Sequence, residues 1–227
     1  MQQVRGAVQA GPEEGNSMGL NEDLGDRENI GSASLAMQRA RESKAHEMTA
    51  RNGDWMQTFT GRQFWPIDPR VEEICIEDIA HALSNQCRYA GHCRDFYSVA
   101  QHSVIVSLAC NPTDALWGLL HDAAEAYLVD LPRPIKRFSD LGAHYQVLEK
   151  ALMEVICKRF GLPLVEPASV KKADNVVLVT EMRDLMAPPP VKWAVSWDNE
   201  PLPEPIYAWA PEEAKRDFLR RFNYLTA

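Results

Sequence analysis

Apolar side chains in this chain recur at helical spacing, segment after segment, and each segment is closed by a cap or a breaker. Ile76, Ile79, Ala80, Leu83 and Cys87 fall at i, i+3, i+4, i+7 and i+11, one stripe of an amphipathic helix. After Gly91, the pattern Ser98-Val99-Ala100-Gln101 is a capping box and opens a helix expected to run to about Ala109. Asn111-Pro112-Thr113-Asp114 ends it and starts the next, about Asp114 to Leu128, which Pro132 and Pro134 stop. A longer helix from about Asp140 to Phe160 turns Leu141, Tyr145, Leu148, Leu152, Val155 and Ile156 inward and breaks at Gly161. Another spans Pro167 to about Met186. The proline-rich stretch Pro188 to Pro205 then crosses the surface irregularly, and Pro211-Glu212-Glu213 opens a last helix ending near Phe222. Only the aromatic and proline segment Phe59 to Pro69 reads as extended or as a short hairpin. The expectation is an all-α helical bundle with a small N-terminal β element.

A chain of 227 residues, 45% hydrophobic and 25% charged, suits one globular domain with an appendage. The appendage is expected at residues 1–55, as a disordered or dispensable extension: glycine recurs, acidic residues outnumber basic ones, and no aromatic precedes Trp55. At most a transient helix is expected there, from Ser34 to Arg51, and Met18, Met37, Met48 and Met56 offer later starts for translation. Residues 56–186 would then form the functional domain, with 187–227 packing on it. A net charge of −8, with no concentrated basic run, excludes generic nucleic-acid binding. Apolar runs fall far short of the roughly 20 residues that cross a bilayer, and the first thirty residues lack a signal segment. The five cysteines are odd in number and hold no Cys-x-x-Cys pair, which points to free thiols in a reducing cytoplasm.

The residues that carry chemistry are His102, then His121-Asp122 after eighteen intervening residues, then Asp174, each on a separate expected helix. Three helices can bring these side chains to one point. Two imidazoles and two carboxylates suit a divalent first-row metal. His121-Asp122 lies inside Leu119-Leu120-His121-Asp122-Ala123-Ala124, where a merely structural helix would bury two ionisable groups at a cost of several kcal/mol. Glu125 follows His121 by four residues, on the same helical face, where a general acid or base belongs. Asp130, read alone, is a turn former. His81, Cys87, His92 and Cys93 have a spacing that fits no common zinc finger or ribbon.

These residues, within Val99-Ala100-Gln101-His102-Ser103, Leu120-His121-Asp122-Ala123-Ala124-Glu125 and Asp130-Leu131-Pro132-Arg133-Pro134-Ile135-Lys136, resemble the HD-domain phosphohydrolases. The bacterial 5′-deoxynucleotidases are the most similar group, over about residues 74 to 186. The resemblance implies a divalent metal (Mn, Co, Zn or Mg) held by His102, His121, Asp122 and Asp174. It implies Glu125 as the proton-transfer residue and Asp130 as a second acidic group beside the substrate. Arg88-Tyr89 would grasp phosphate and pack on the sugar, with Arg94 and Lys136 as further phosphate contacts. The implied partner is a small nucleotide, whose 5′-phosphate ester is hydrolysed, and the implied assembly is a homodimer. Related viral enzymes cleave deoxyadenosine triphosphate to nucleoside and triphosphate, so the phosphate count stays open, and so does a module that binds nucleotide without turnover. Cyclic-dinucleotide phosphodiesterases of this superfamily carry a Gly-Tyr-Pro signature and extra histidines, which are absent here.

Overall fold

The structure, a computed structural model, describes Arg51 to Ala227 and, before them, Met37 alone. The disorder and transient helix expected before Arg51 therefore lie outside the described residues. The described chain is all-α with a small β element at its start. Strands β1 (Met56–Gln57) and β2 (Gln63–Phe64) pair antiparallel, Met56 opposite Phe64. The hairpin was expected over Phe59 to Pro69, but its first strand lies earlier. Its second ends at Phe64, just before Pro66, which has no N–H to donate to a ladder. Phe64 is fully buried and stacks on Tyr127 at 4.0 Å, which ties the hairpin to the helices.

The helices are α1 (Ile76–Asn85), α2 (Val99–Ala109), α3 (Ala115–Leu120), α4 (Glu125–Leu128), α5 (Arg133–Phe138), α6 (Asp140–Phe160), α7 (Ala168–Leu185) and α8 (Pro211–Thr226). Helix α2 is the axis of the fold, packed by α1, α3, α7 and α8. It is therefore buried on nearly every side, including Gln101, His102, Ser103 and Ser107. The Ser98 hydroxyl accepts the Gln101 N–H at 3.1 Å, as a cap should. The Gln101 side chain is used elsewhere: it donates to the Tyr207 carbonyl at 2.7 Å and accepts the Trp209 N–H at 2.9 Å. Residues 187–227 thereby close the same core, with Ile206, Ala214 and Phe218 buried in it. Among the described residues no helix is long and apolar enough to cross a membrane.

Several expectations need correction. The single helix over Asp114 to Leu128 is interrupted between α3 and α4, at His121 to Ala124. Helix α4 ends at Leu128, where Val129 turns to positive φ (58), ahead of Pro132 and Pro134, which instead start α5, because proline is tolerated in a first helical turn. Helix α8 continues past Phe222 to Thr226. Leu141, expected inward, is 62% exposed. The N-terminal part of α6 packs on short α5, so close at Gly142 that an added Cβ would lie 2.3 Å from the Lys136 carbonyl oxygen.

The expected boundary at residue 55 is also too late. Arg51 donates to the Glu73 carboxylate and to the Asp68 carbonyl, each at 2.5 Å, and its guanidinium lies 4.1 Å over the Trp65 ring. Both side chains of the Arg51–Glu73 pair are largely shielded, at 11% and 13% exposure. A chain beginning at Met56 is accordingly expected to be less stable in urea than one beginning at Arg51, by about 1–3 kcal/mol. Coincident unfolding curves would show that Arg51 contributes nothing.

Candidate metal centre

Three parts of the fold supply the centre: the middle of α2, the turn after α3, and α7. His102 sits mid-way along α2 with no exposed surface. At His121 (φ −61, ψ −33) and Ala124 (φ −63, ψ −29) the backbone keeps right-handed helical angles. The hydrogen bonds, however, tighten to the three-residue pattern: Ala123 to Leu120 at 2.9 Å, Glu125 to Asp122 at 3.0 Å and Tyr127 to Ala124 at 3.1 Å. In such a turn residues three apart eclipse, so Glu125 lies in register with Asp122 and not, as α spacing suggested, with His121. Asp174 and Glu181 are seven residues apart on α7 and so share one face.

Each imidazole is oriented through its Nδ1. His121 Nδ1 donates to the Gly118 carbonyl at 2.8 Å, and a carbonyl can only accept. His102 Nδ1 donates to the buried Glu181 carboxylate at 2.6 Å. In a neutral imidazole oriented this way Nε2 is the acceptor, and the two Nε2 atoms face each other at 3.2 Å. Asp122 Oδ2 lies 3.2 Å from His121 Nε2 and 3.7 Å from His102 Nε2, and Asp174 Oδ1 lies 3.4 Å from His102 Nε2. Four electron-rich atoms aimed at one point repel one another unless a positive charge sits among them. His102, His121 and Asp122 bring ligand atoms close enough to hold a divalent metal, each imidazole oriented through its other nitrogen, and Asp174 Oδ1 stands beside His102 as a further oxygen.

The acid–base behaviour points the same way. Burial pushes the His121 imidazole down, but Asp122 and then Asp174 outweigh it and raise its pKa to about 9. Burial likewise opposes ionisation of Asp122, and His121, His102 and Arg88 overcome it, holding that carboxyl far below its usual range. Without a metal, then, the cluster captures a proton on His121.

Arg88 and Tyr89 join this centre. Arg88 Nε lies 3.2 Å from Glu181 Oε2, and its Nη1 lies 3.5 Å from Asp122 Oδ2. The Tyr89 hydroxyl, expected near a sugar, donates to Glu181 Oε2 at 2.5 Å. Their short turn, Arg88–Gly91, is left-handed at Tyr89 (φ 55) and Ala90 (φ 51), which costs about 1–2 kcal/mol per non-glycine residue. Glu125 is buried, and burial first, then the Asp122 and Asp130 charges, push its carboxyl well above the usual range. Lys136, expected to reach phosphate, instead bridges Asp130 at 2.8 Å and Glu149 at 2.7 Å. Arg94 does not join the centre: its backbone N–H bonds the Leu185 carbonyl, and its side chain is exposed.

A cavity of about 630 Å³ opens beside the cluster. His121, Asp122, Glu125 and Asp174 line it from one direction, and Gln146, Glu149, Lys150 and Met153 of α6 from another. Sequence reasoning missed Glu181, Glu149, Lys150 and Lys171, whose Nζ lies 2.7 Å from Asp174 Oδ2. For Glu181 and Lys171 a signal existed, since they stand at +7 and −3 from Asp174 on one helix. Among the described residues His81, Cys87, His92 and Cys93 form no cluster with metal-ligand spacing, and His81 stacks on Phe59 at 3.8 Å.

Two outcomes follow from the ligand geometry. Asp122→Ala should lose the metal, read by elemental analysis, and wild-type occupancy in that variant would contradict its role as a ligand. A His121 pKa raised from 6.5 to about 9 stabilises the metal-free fold fully below pH 6.5, and that contribution is lost as pH rises through about 9. Metal binding at neutral pH should therefore release about one proton, and progressively less above pH 9, measured by calorimetry in buffers of different ionisation heat. Identical heats in all buffers at neutral pH would contradict it.

No family model matches the chain. It is 40% identical over 174 residues to the uncharacterized protein YfdR of Escherichia coli (strain K12), over 76% of this chain and 96% of YfdR. It is 39% identical over 128 residues to the uncharacterized protein RCAP_rcc00048 of Rhodobacter capsulatus, over 52% of this chain and 64% of that protein. With nearly the whole of YfdR matched at that identity, the chain belongs to the YfdR family.

Proposed function

We propose that this protein is a metal-dependent phosphohydrolase that cleaves the 5′-phosphate ester of (deoxy)nucleotides to nucleoside and phosphate. The observation that carries the reading is the convergence of two imidazole Nε2 atoms and two carboxylate oxygens beside an open cavity. The motif resemblance supports it, and so do the Glu125 carboxyl on the cavity lining, pushed up by burial, and the Arg88 guanidinium 3.5 Å from Asp122 Oδ2. A divalent ion held by His102, His121, Asp122 and Asp174 would supply Lewis acidity, polarising a phosphoryl oxygen and making water acidic enough to attack.

The chain's own groups do the rest. Arg88, anchored through Nε to Glu181 and with Nη1 beside Asp122, would turn its guanidinium to phosphoryl oxygens and offset their charge during in-line displacement. Glu125 gives its proton to the 5′-oxygen as the P–O bond breaks, so that the nucleoside leaves as a neutral alcohol. Lys136 offsets part of the charge of Asp130 and Glu149 next to it. A cavity of about 630 Å³ is large enough for a whole nucleotide, and the Lys150 cation on its lining keeps a triphosphate reading as the second choice. Attack at the α-phosphate then yields nucleoside and intact triphosphate.

Mono-, di- and triphosphates of the deoxynucleosides, each with Mn²⁺, Co²⁺, Zn²⁺ and Mg²⁺, test the reading by chromatography of products. Deoxyadenosine should be the first product from dAMP or dATP. Accumulation of dADP with inorganic phosphate would contradict attack at the α-phosphate, and no turnover with any metal would contradict hydrolysis. Glu125→Ala should keep the metal and lose roughly 10²-fold or more in kcat. Undiminished kcat would remove Glu125 from the proton transfer.

A further inference from the structure

We propose that Glu181 is a positioning residue that couples the metal cluster to the phosphate-grasping turn; the inference rests on the phosphohydrolase reading above. Its carboxylate has no exposed surface and divides its two oxygens between two tasks. Oε1 accepts the His102 Nδ1–H at 2.6 Å, which fixes the tautomer that leaves Nε2 free for a metal. Oε2 accepts the Arg88 Nε–H at 3.2 Å and the Tyr89 O–H at 2.5 Å. Three donors from two separate elements thus meet one buried anion, and none of them has another acceptor among the described residues at those atoms.

The turn needs such a tether. Tyr89 and Ala90 hold left-handed backbone angles that side-chain-bearing residues rarely adopt, and the turn makes few backbone bonds of its own: His92 to Tyr89 at 3.0 Å and, at its entry, Arg88 to the Tyr97 carbonyl at 2.9 Å. With Nε and the tyrosine hydroxyl fixed on Glu181, the Arg88 guanidinium is aimed at Asp122, beside the metal ligands. A ligand that orders His102 therefore also orders Arg88, and substrate drawn to Arg88 strengthens the hold on His102. The two effects are reciprocal, as linkage requires.

Glu181→Gln separates the two tasks, because glutamine keeps the shape but offers one acceptor and one donor to three donors. If its oxygen serves His102, its NH₂ faces the Arg88 Nε–H, and the reverse orientation opposes the His102 Nδ1–H. The variant should stay folded, bind Co²⁺ about 10- to 100-fold more weakly, change the cobalt d–d absorption spectrum and raise KM for dAMP. A folded Glu181→Gln protein with Co²⁺ affinity within about twofold of wild type and an unchanged spectrum would overturn the coupling.

Tyr89→Phe decides the matter if Glu181→Gln does not fold, since it removes one donor from a partly exposed turn. A change of about two- to fivefold in Co²⁺ affinity, sensed across Glu181, is expected there, and an affinity and spectrum identical to wild type would overturn the proposal. A wild-type protein that binds no divalent ion would instead overturn the phosphohydrolase reading, and this inference with it.

Discussion

Burying charge in the middle of a small helical bundle costs several kcal/mol per group unless each charge is paired, and the fold is arranged around that requirement. His102 and Glu181 have no exposed surface, and they meet at 2.6 Å across the contact of α2 with α7. Around that pair every buried charge has an answer: Arg88 for Glu181, His121 for Asp122, and Lys171 for Asp174. Burial opposes the Glu181 anion, yet Arg88 and then His102 hold its carboxyl down at about 2. Between the two Nε2 atoms and the carboxylate oxygens, acceptors crowd one point, which takes either a proton on His121 or a metal ion. A structural polar network has no reason to leave such a point, because a half-satisfied network is less stable than an apolar core.

The same requirement explains the interruption between α3 and α4. A continuous α-helix would place Glu125 one turn beyond His121, whereas the tighter bonding from Leu120 to Tyr127 brings it under Asp122. The carboxylate of Asp122, held ionised by its cationic neighbours, then helps keep the buried Glu125 carboxyl protonated. Two acidic groups three residues apart are driven to opposite protonation states, the arrangement that acid–base chemistry uses. Lys136 completes it by bridging Asp130 and Glu149, so that the acidic side of the cavity does not carry its full formal charge.

Much of this was legible in the sequence. The stripe from Ile76 to Leu83, the Ser98 cap, the Gly161 break and the all-α class follow from side-chain period and breaker chemistry, and the helices form where those signals stand. His121 and Asp122 were legible because ionisable residues inside the apolar run Leu119 to Ala124 demand an explanation, and His102 and Asp174 joined them through the motif resemblance. Other features depend on contacts between distant residues. Nothing local distinguishes Lys136 facing two carboxylates from Lys136 facing phosphate, or Leu141 in a core from Leu141 on an exposed stretch of α6. Arg51 belongs to the fold through Glu73, Asp68 and Trp65, partners that no periodicity reveals. Glu181 was the nearest miss, since its seven-residue offset from Asp174 put it on the right face of the right helix.

The central claim is that two imidazole Nε2 atoms and two carboxylates form a divalent metal site, and X-ray absorption on the zinc-loaded protein tests it most directly. The account predicts two imidazole nitrogens at about 2.0–2.1 Å, with the remaining scatterers oxygen and no sulfur. A zinc shell of thiolate sulfur at about 2.3 Å, or of oxygen alone without the imidazole outer-shell signal, would contradict it.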